Sequence, residues 1–207
     1  MEGKTKITKT QIWILLFTIA YVIGFGIYYL TIQNYEFLIY VAILVFLIWF
    51  VGWLHTRYNF PTGVLLGASI WGLMHMAGGS IYINGTKLYG LILVPLFSSS
   101  VAGTDIFRYD QLAHIYCYIV VTILLFYILK VYIDGKKVNK FAISVLLVLM
   151  GMGVGALNEI IEFIPVLILK ETGVGDYFNT LWDIVSNTLG AIIAVVYLNL
   201  SGKIKKI

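Results

Sequence analysis

The sequence predicts an all-α, polytopic membrane helix bundle with about six transmembrane helices. Three observations carry that expectation. Of the 207 residues, 60% are hydrophobic and 12% charged, with mean hydropathy +0.94, where an ordinary soluble domain is about 25% charged. The apolar residues fall into separate runs of roughly 20 residues, the length of helix that crosses a bilayer. Lysine and arginine alternate between the two sides those runs define, as membrane topology requires.

The whole chain, 1–207, reads as a single integral membrane domain. Residues 11–30 form the first expected span, and Thr31 to Glu36 a short polar turn. Residues 37–54 form the second, with Trp49 and Trp53 as interfacial anchors near its end. A turn from His55 to Pro61 follows, and Pro61 suits the start of a new helix. Residues 62–77 form a third, Gly-containing span, short enough to call for tilt or local thinning. The long outer connection between spans three and four holds Asn84-Gly85 among β-branched and aromatic residues, which favours a type I′ hairpin. Within it, Leu91 to Phe97 could instead dip into the membrane. Residues 110–131, 141–169 and 178–200 supply spans four to six. Gly151, Gly153 and Gly155 are expected to let the fifth pack closely.

Charge sets the orientation. With the N-terminus in the cytoplasm, the inner segments hold Lys4, Lys6, Lys9, Arg57, Lys130, Lys136, Lys137, Lys140, Lys203, Lys205 and Lys206. The outer segments hold Lys87, Arg108 and Lys170. Eleven against three places both termini in the cytoplasm of a multi-pass cell-membrane protein. The net charge of +4 is therefore topological and no footprint of nucleic acid. The single cysteine, Cys117, excludes an intrachain disulfide and a cysteine-based zinc site. No cleavable signal is expected, because the first apolar run exceeds an h-region and no small-x-small site follows it.

Ionisable residues inside such runs stand out, since a charge at a helix centre is disfavoured by roughly 2.5–3.5 kcal/mol on insertion scales. Glu159 and Glu162 lie one helical turn apart in span five. Asp110 and His114 open span four, four residues apart on one face. Asn179, Asp183 and Asn187 make a stripe at i, i+4, i+8 down span six, below Asp176. His75 ends span three. Most of these fall within roughly 15 Å of the outer surface at about 1.5 Å per residue. Four helices thus send acids, imidazoles and amides to one layer.

Four carboxylates crowded there cannot all ionise cheaply. They must share protons, pair with His75, His114 or Arg108, or bind a metal. Two imidazoles and carboxylates could form a first shell for a divalent ion, with His75, His114 and Asp110 as ligands. Glu159, Glu162, Asp110 and Asp183 are the candidates for acid–base chemistry. Arg108, Asn158, Asn179, Asn187 and Asp176 are candidates for binding. Plainer roles compete: an Asp110–His114 ion pair, helix capping by Asp176 or Asn179, and interhelical bonding by Asn187.

The segments Arg108-Tyr109-Asp110-Gln111-Leu112-Ala113-His114, Asn158-Glu159-Ile160-Ile161-Glu162-Phe163 and Gly175 to Gly190 resemble the YjdF-like multi-pass membrane proteins of bacteria and archaea. They are more distantly similar to VanZ-like proteins, which share an Asp-x3-His, an intramembrane Glu and an Asp-x3-Asn-x2-Gly. The resemblance covers roughly residues 60–200. It brings no activity from the YjdF-like group. VanZ-like proteins are associated with reduced susceptibility to teicoplanin, and often have Gln where this chain has Glu162. The resemblance implies that Asp110, His114, Glu159, Asp183 and Asn187 form the site.

Three functions are expected as alternatives. One is an intramembrane, metal-assisted hydrolase or transferase acting on a lipid or lipid-linked envelope head group. The second is cation- or proton-coupled transport, or binding of an envelope precursor. The third is a structural or regulatory role in which the polar layer locks the bundle. In each case the bilayer is the first partner.

Overall fold

Each apolar run folds as a helix whose ends are set by polar residues. Helix α1 (Lys9–Thr31) begins at Thr8, which accepts from the Gln11 N–H while the Gln11 side chain accepts from the Thr8 N–H, a reciprocal cap that satisfies two orphan donors. Helix α2 (Tyr35–Tyr58) is capped by Asn34 and stops at Asn59, whose φ of 48° lies in the left-handed region. The expected turn at His55 to Pro61 thus shrinks to its last three residues. Before Asn59 no residue removes an N–H or favours a left-handed backbone, so α2 continues through His55. At its other end Glu36 belongs to the helix and not to a turn. Helix α3 (Thr62–Ser80) follows Pro61; α4 (Tyr109–Ile133), α5 (Lys140–Ile168) and α6 (Tyr177–Leu200) complete the bundle. Asn139 caps α5 and Asp176 caps α6.

This computed structural model describes residues 7–94, 107–135 and 137–204. Lys4, Lys6, Lys136, Lys205 and Lys206 of the charge count lie outside the described residues, as do Pro95 to Phe97 of the alternative dip.

Among the described residues, five helices are long and apolar enough to cross a membrane: α1, α2, α4, α5 and α6. The sixth expected span, α3, is not among them. Its run TGVLLGASIWGLMHMAGGS is diluted by glycine, serine and His75. Those small and polar residues face protein: Ser69, Gly72, Gly78 and Gly79 are buried against neighbouring helices. Thr18 of α1 and Ser69 exchange a hydroxyl hydrogen bond of 2.7 Å, and Tyr21 donates to the Ser69 carbonyl.

The connection after α3 carries two separate two-stranded antiparallel sheets among the described residues. Strands β1 (Tyr82–Ile83) and β2 (Thr86–Lys87) pair antiparallel around Asn84-Gly85, whose φ values of 51° and 82° suit a type I′ turn. A 3₁₀ turn at Leu88–Gly90 follows. Strand β3 (Ile92–Val94) then pairs antiparallel with β4 (Phe107–Arg108), directly before α4. Ile92 to Val94 therefore lie in a strand and not in a membrane dip.

Two apolar clusters hold the bundle. One joins α1, α2 and α3 through Val22, Tyr29, Phe37, Tyr40, Leu44 and Met76. The other joins α4, α5 and α6 near their opposite end through Phe126, Ile143, Leu147, Val195 and Leu198, with Ile204. The outward faces are apolar as well, with Phe46, Leu149, Ile160 and Leu189 exposed. Lipid chains are as apolar as leucine, so such helices associate through close packing and hydrogen bonds.

Close packing is where α6 meets its neighbours. A Cβ on Gly190 would run into the Ile115 carbonyl of α4. One on Gly151 would stand 2.6 Å from Thr122 Oγ1 and 2.8 Å from Ala191 Cβ, and one on Gly155 3.1 Å from Asn187. Gly153 departs from the expectation: nothing lies within 4 Å of its Cβ position. Two residues round a helix from Gly151 is nearly the opposite face.

Gly190→Ala should therefore lower stability by about 1–3 kcal/mol through overpacking. Gly153→Ala should leave it unchanged or raise it by up to about 1 kcal/mol through helix propensity. Thermal unfolding of both variants in one detergent checks the pair, and equal effects would contradict the packing described.

Candidate functional site: a histidine–acid layer at one end of the bundle

The site is built from three helices that present polar residues at helical spacing to one another. Helix α4 contributes Asp110, Gln111 and His114 from its first two turns. Helix α6 contributes Asn179, Asp183 and Asn187 from one stripe. Helix α5 contributes Asn158, Glu159 and Glu162. The small residues described above let these faces approach.

His114 lies at the centre and is 8% exposed. Its Nδ1 is 2.8 Å from Asn187 Oδ1, and Asn187 Nδ2 donates to Glu159 Oε1 at 3.2 Å. The carboxylate fixes the amide orientation, because only the amide nitrogen can donate to it. Asn187 Oδ1 is then an acceptor, and Nδ1 of His114 carries the proton. The other ring nitrogen, Nε2, faces two carboxylates, Asp110 Oδ1 at 3.6 Å and Asp183 Oδ1 at 3.9 Å.

Those carboxylates are held in turn. Asp183 is 1% exposed; its Oδ1 accepts from Gln111 Nε2 at 3.0 Å and its Oδ2 from Asn179 Nδ2 at 2.7 Å. Asn179 Nδ2 also lies 3.3 Å from Asp110 Oδ2. Two amides thus orient the acid pair, and a third orients the imidazole. Ligand atoms of Asp110, His114 and Asp183 lie within 4.8 Å of one another. A shell of radius about 2.1 Å sets its atoms roughly 3–4 Å apart, the range seen around Nε2. The donor set of one imidazole nitrogen and carboxylate oxygens suits a divalent ion of the zinc or manganese kind.

The remaining expected residues take separate places. Glu162 accepts from Asn158 Nδ2 at 2.8 Å and faces a cavity beside the triad. Asp176 caps α6 by accepting from the Asn179 N–H, and so positions a site residue without entering the site. Arg108 contributes its backbone N–H to the Gln111 side chain. Its guanidinium makes no ion pair among the described residues. His75 is not part of the triad. Its Nδ1 is hydrogen-bonded to the Tyr89 hydroxyl, and its ring is packed by Tyr40, Trp71 and Phe37. That aromatic packing holds it beside the acids, and Asp183 rather than His75 joins Asp110 and His114 in the group that could hold a metal ion.

The cavity holds about 70 Å³ and lies between the triad and the α3–α4 and α5–α6 connections. Phe37, Tyr40, His75 and Tyr89 form its aromatic wall, and Glu36, Asp110 and Glu162 its acidic one. Lys87 of the hairpin and Gly173 of the α5–α6 connection close it. Glu36, 8% exposed, accepts from the Gly173 N–H at 2.7 Å and ties that connection down. Burial pushes the Tyr89 phenol well above its usual range, with Asp110 and Glu162 adding to the effect, so the hydroxyl stays neutral.

The sequence analysis missed Gln111, Glu36, Tyr89 and Lys87. Gln111 had a signal: it lies beside Asp110 inside an apolar run. Gly78-Gly79 was another, since a Cβ on either would overlap Tyr89 or Phe37; the paired glycines are the seat for two rings of the cavity.

Asn187→Leu removes both partners' bonds at once, leaving His114 Nδ1 and Glu159 buried without them. It should lower stability by about 1–3 kcal/mol, whereas Val185→Leu on the exposed face should change it little. Thermal unfolding with far-UV circular dichroism checks this; an unchanged midpoint for Asn187→Leu would contradict the network.

No curated protein and no solved structure matches the chain. A family model described as "Predicted membrane protein (DUF2238)" matches residues 10–203. The span runs from the start of α1 to just past α6 and takes in every residue of the layer, so the chain belongs to the DUF2238 family of membrane proteins.

Proposed function

We propose that this protein is an intramembrane enzyme of the extracytoplasmic half of a cell membrane. In this reading, Asp110, His114 and Asp183 hold a divalent metal ion for hydrolysis or group transfer on a lipid or lipid-linked head group. The observation that carries the reading is the orientation of His114. Asn187 engages Nδ1 and leaves Nε2 directed at two carboxylates that amides already hold. Ligating histidines are fixed in this way, by a partner on the nitrogen away from the metal. A divalent ion there would supply Lewis acidity and an activated water. Gln111 and Asn179 keep the carboxylates in place, and Glu162 at the cavity is positioned to take a proton. The distant resemblance to VanZ-like proteins, which are associated with reduced susceptibility to teicoplanin, favours an envelope-related role. The charge alternation supports six spans with both termini cytoplasmic, α3 being the sixth, lined by protein on most sides.

A second reading draws on the Glu159–Asn187–His114 chain, which crosses α5, α6 and α4. Such a chain could also hand along a proton, as in cation- or proton-coupled transport. Flux of a cation with pH in proteoliposomes, without turnover, would favour it.

Elemental analysis of protein purified without chelator tests the first reading. Wild-type should carry about one equivalent of a divalent transition metal, or take it up when titrated with Zn²⁺ or Mn²⁺. His114→Ala and Asp183→Asn should each lower the affinity at least tenfold, in line with losses on disturbing a metal's ligands or their supports. Wild-type protein that holds no metal and binds none on titration would contradict it.

A further inference from the structure

We infer that the cavity beside the triad takes a small primary alkylammonium group, of the kind carried by an aminoethyl phosphate head group. The inference rests on the proposed reading only in taking that group to belong to a lipid.

The walls of the cavity argue for a cation. Four rings line one wall and pack against one another: Phe37 and Tyr40 at 5.3 Å between centroids, Tyr40 and His75 at 5.3 Å, His75 and Tyr89 at 5.8 Å, Phe37 and Tyr89 at 6.3 Å. Aromatic faces of this kind attract ammonium groups through the ring quadrupole, most strongly when desolvated. Carboxylates complete the lining, from Glu36, Asp110 and Glu162.

Lys87 is the resident cation, and its position limits what it neutralises. Its Nζ lies 3.8 Å from where a Cβ of Gly173 would stand, and the Glu36 oxygens lie 3.6 and 3.7 Å from the same point. Lys87 therefore sits at the mouth beside Glu36. Asp110 and Glu162 make no ion pair with Lys87 among the described residues, and His114 is the cation facing Asp110. Glu162 has Asn158 on Oε1, and its other oxygen accepts no hydrogen bond among the described residues. An ammonium donating to Glu162 and Asp110 would fill that role.

Size selects the kind of ammonium. The cavity is small, about 70 Å³, which suits a compact aminoethyl group. A trimethylammonium head is bulkier. The cavity also shares Asp110 with the triad.

The test uses the full chain in detergent, with binding measured by calorimetry. The probes are short-chain phosphatidylethanolamine, phosphatidylcholine and phosphatidylglycerol, with free ethanolamine as a separate arm. Phosphatidylethanolamine should bind at least tenfold more tightly than the other two lipids. Glu162→Gln and Tyr40→Leu, each confirmed folded by gel filtration and thermal unfolding, should reduce that preference at least tenfold. Ethanolamine binding as tightly as the lipid would uphold the ammonium inference and assign its source to solution. Chelator-treated protein should keep its preference for ethanolamine over glycerol compounds, so that loss of the metal reading and loss of this one are distinguishable. Equal affinity for phosphatidylethanolamine and phosphatidylglycerol, or an unchanged preference in both variants, would overturn the inference.

Discussion

A polar group in hydrocarbon has no water to turn to, and the half of this bundle that holds the histidine–acid layer is organised by that constraint. The bond from His114 to Asn187 and on to Glu159 joins α4, α6 and α5 through three side chains. Each would be exposed to an unfavourable environment if the other two were displaced. Apolar packing can slide, because one leucine contact resembles another. A hydrogen-bonded chain of an imidazole, an amide and a carboxylate has one arrangement. It therefore fixes the register in which the helices pack, and the orientation of everything attached to them.

Two further features depend on that register. The first is steric: Gly190 against the Ile115 carbonyl, and Gly151 against Thr122 and Ala191, allow a helix separation at which short side chains such as Asp183 and Asn187 can reach across. The second is the covering of the site. Glu36 holds the α5–α6 connection by the Gly173 N–H, and Tyr89 reaches from the 3₁₀ turn between the two small sheets to His75. The loops close over the layer through polar contacts with the same helices that supply it. The bundle thus divides by chemistry, with an apolar cluster around Phe126 and Leu147 toward one end of α4 to α6 and the histidine–acid layer toward the other.

Much of this was legible in the sequence, because the signals are local. Apolar runs give helices, and Asn84-Gly85 gives a turn with both residues at positive φ. Spacings of three and four group Asp110 with His114, and Asn179 with Asp183 and Asn187. What escaped was set by contacts between distant segments. Glu36 looks like the end of a polar turn until Gly173, 137 residues later, is placed against it. His75 reads as a ligand by type and depth, and only the rings of Phe37, Tyr40 and Tyr89 give it other company. Helix α3 falls short of a membrane span by composition because its glycines and serines serve protein contacts, which hydropathy does not record. Gly153 was grouped with Gly151 and Gly155 by proximity, although helical geometry already separates it from them.

The central claim is that His114 is locked between an amide on one ring nitrogen and two carboxylates on the other. Nitrogen-15 NMR of selectively labelled histidine in lipid bilayers reads this directly. The account predicts a proton resident on Nδ1 of His114, slow exchange with water, and a clear change in the Nδ1 resonance in Asn187→Leu. A His114 signal that exchanges as freely as an exposed imidazole, and that does not respond to loss of Asn187, would contradict it.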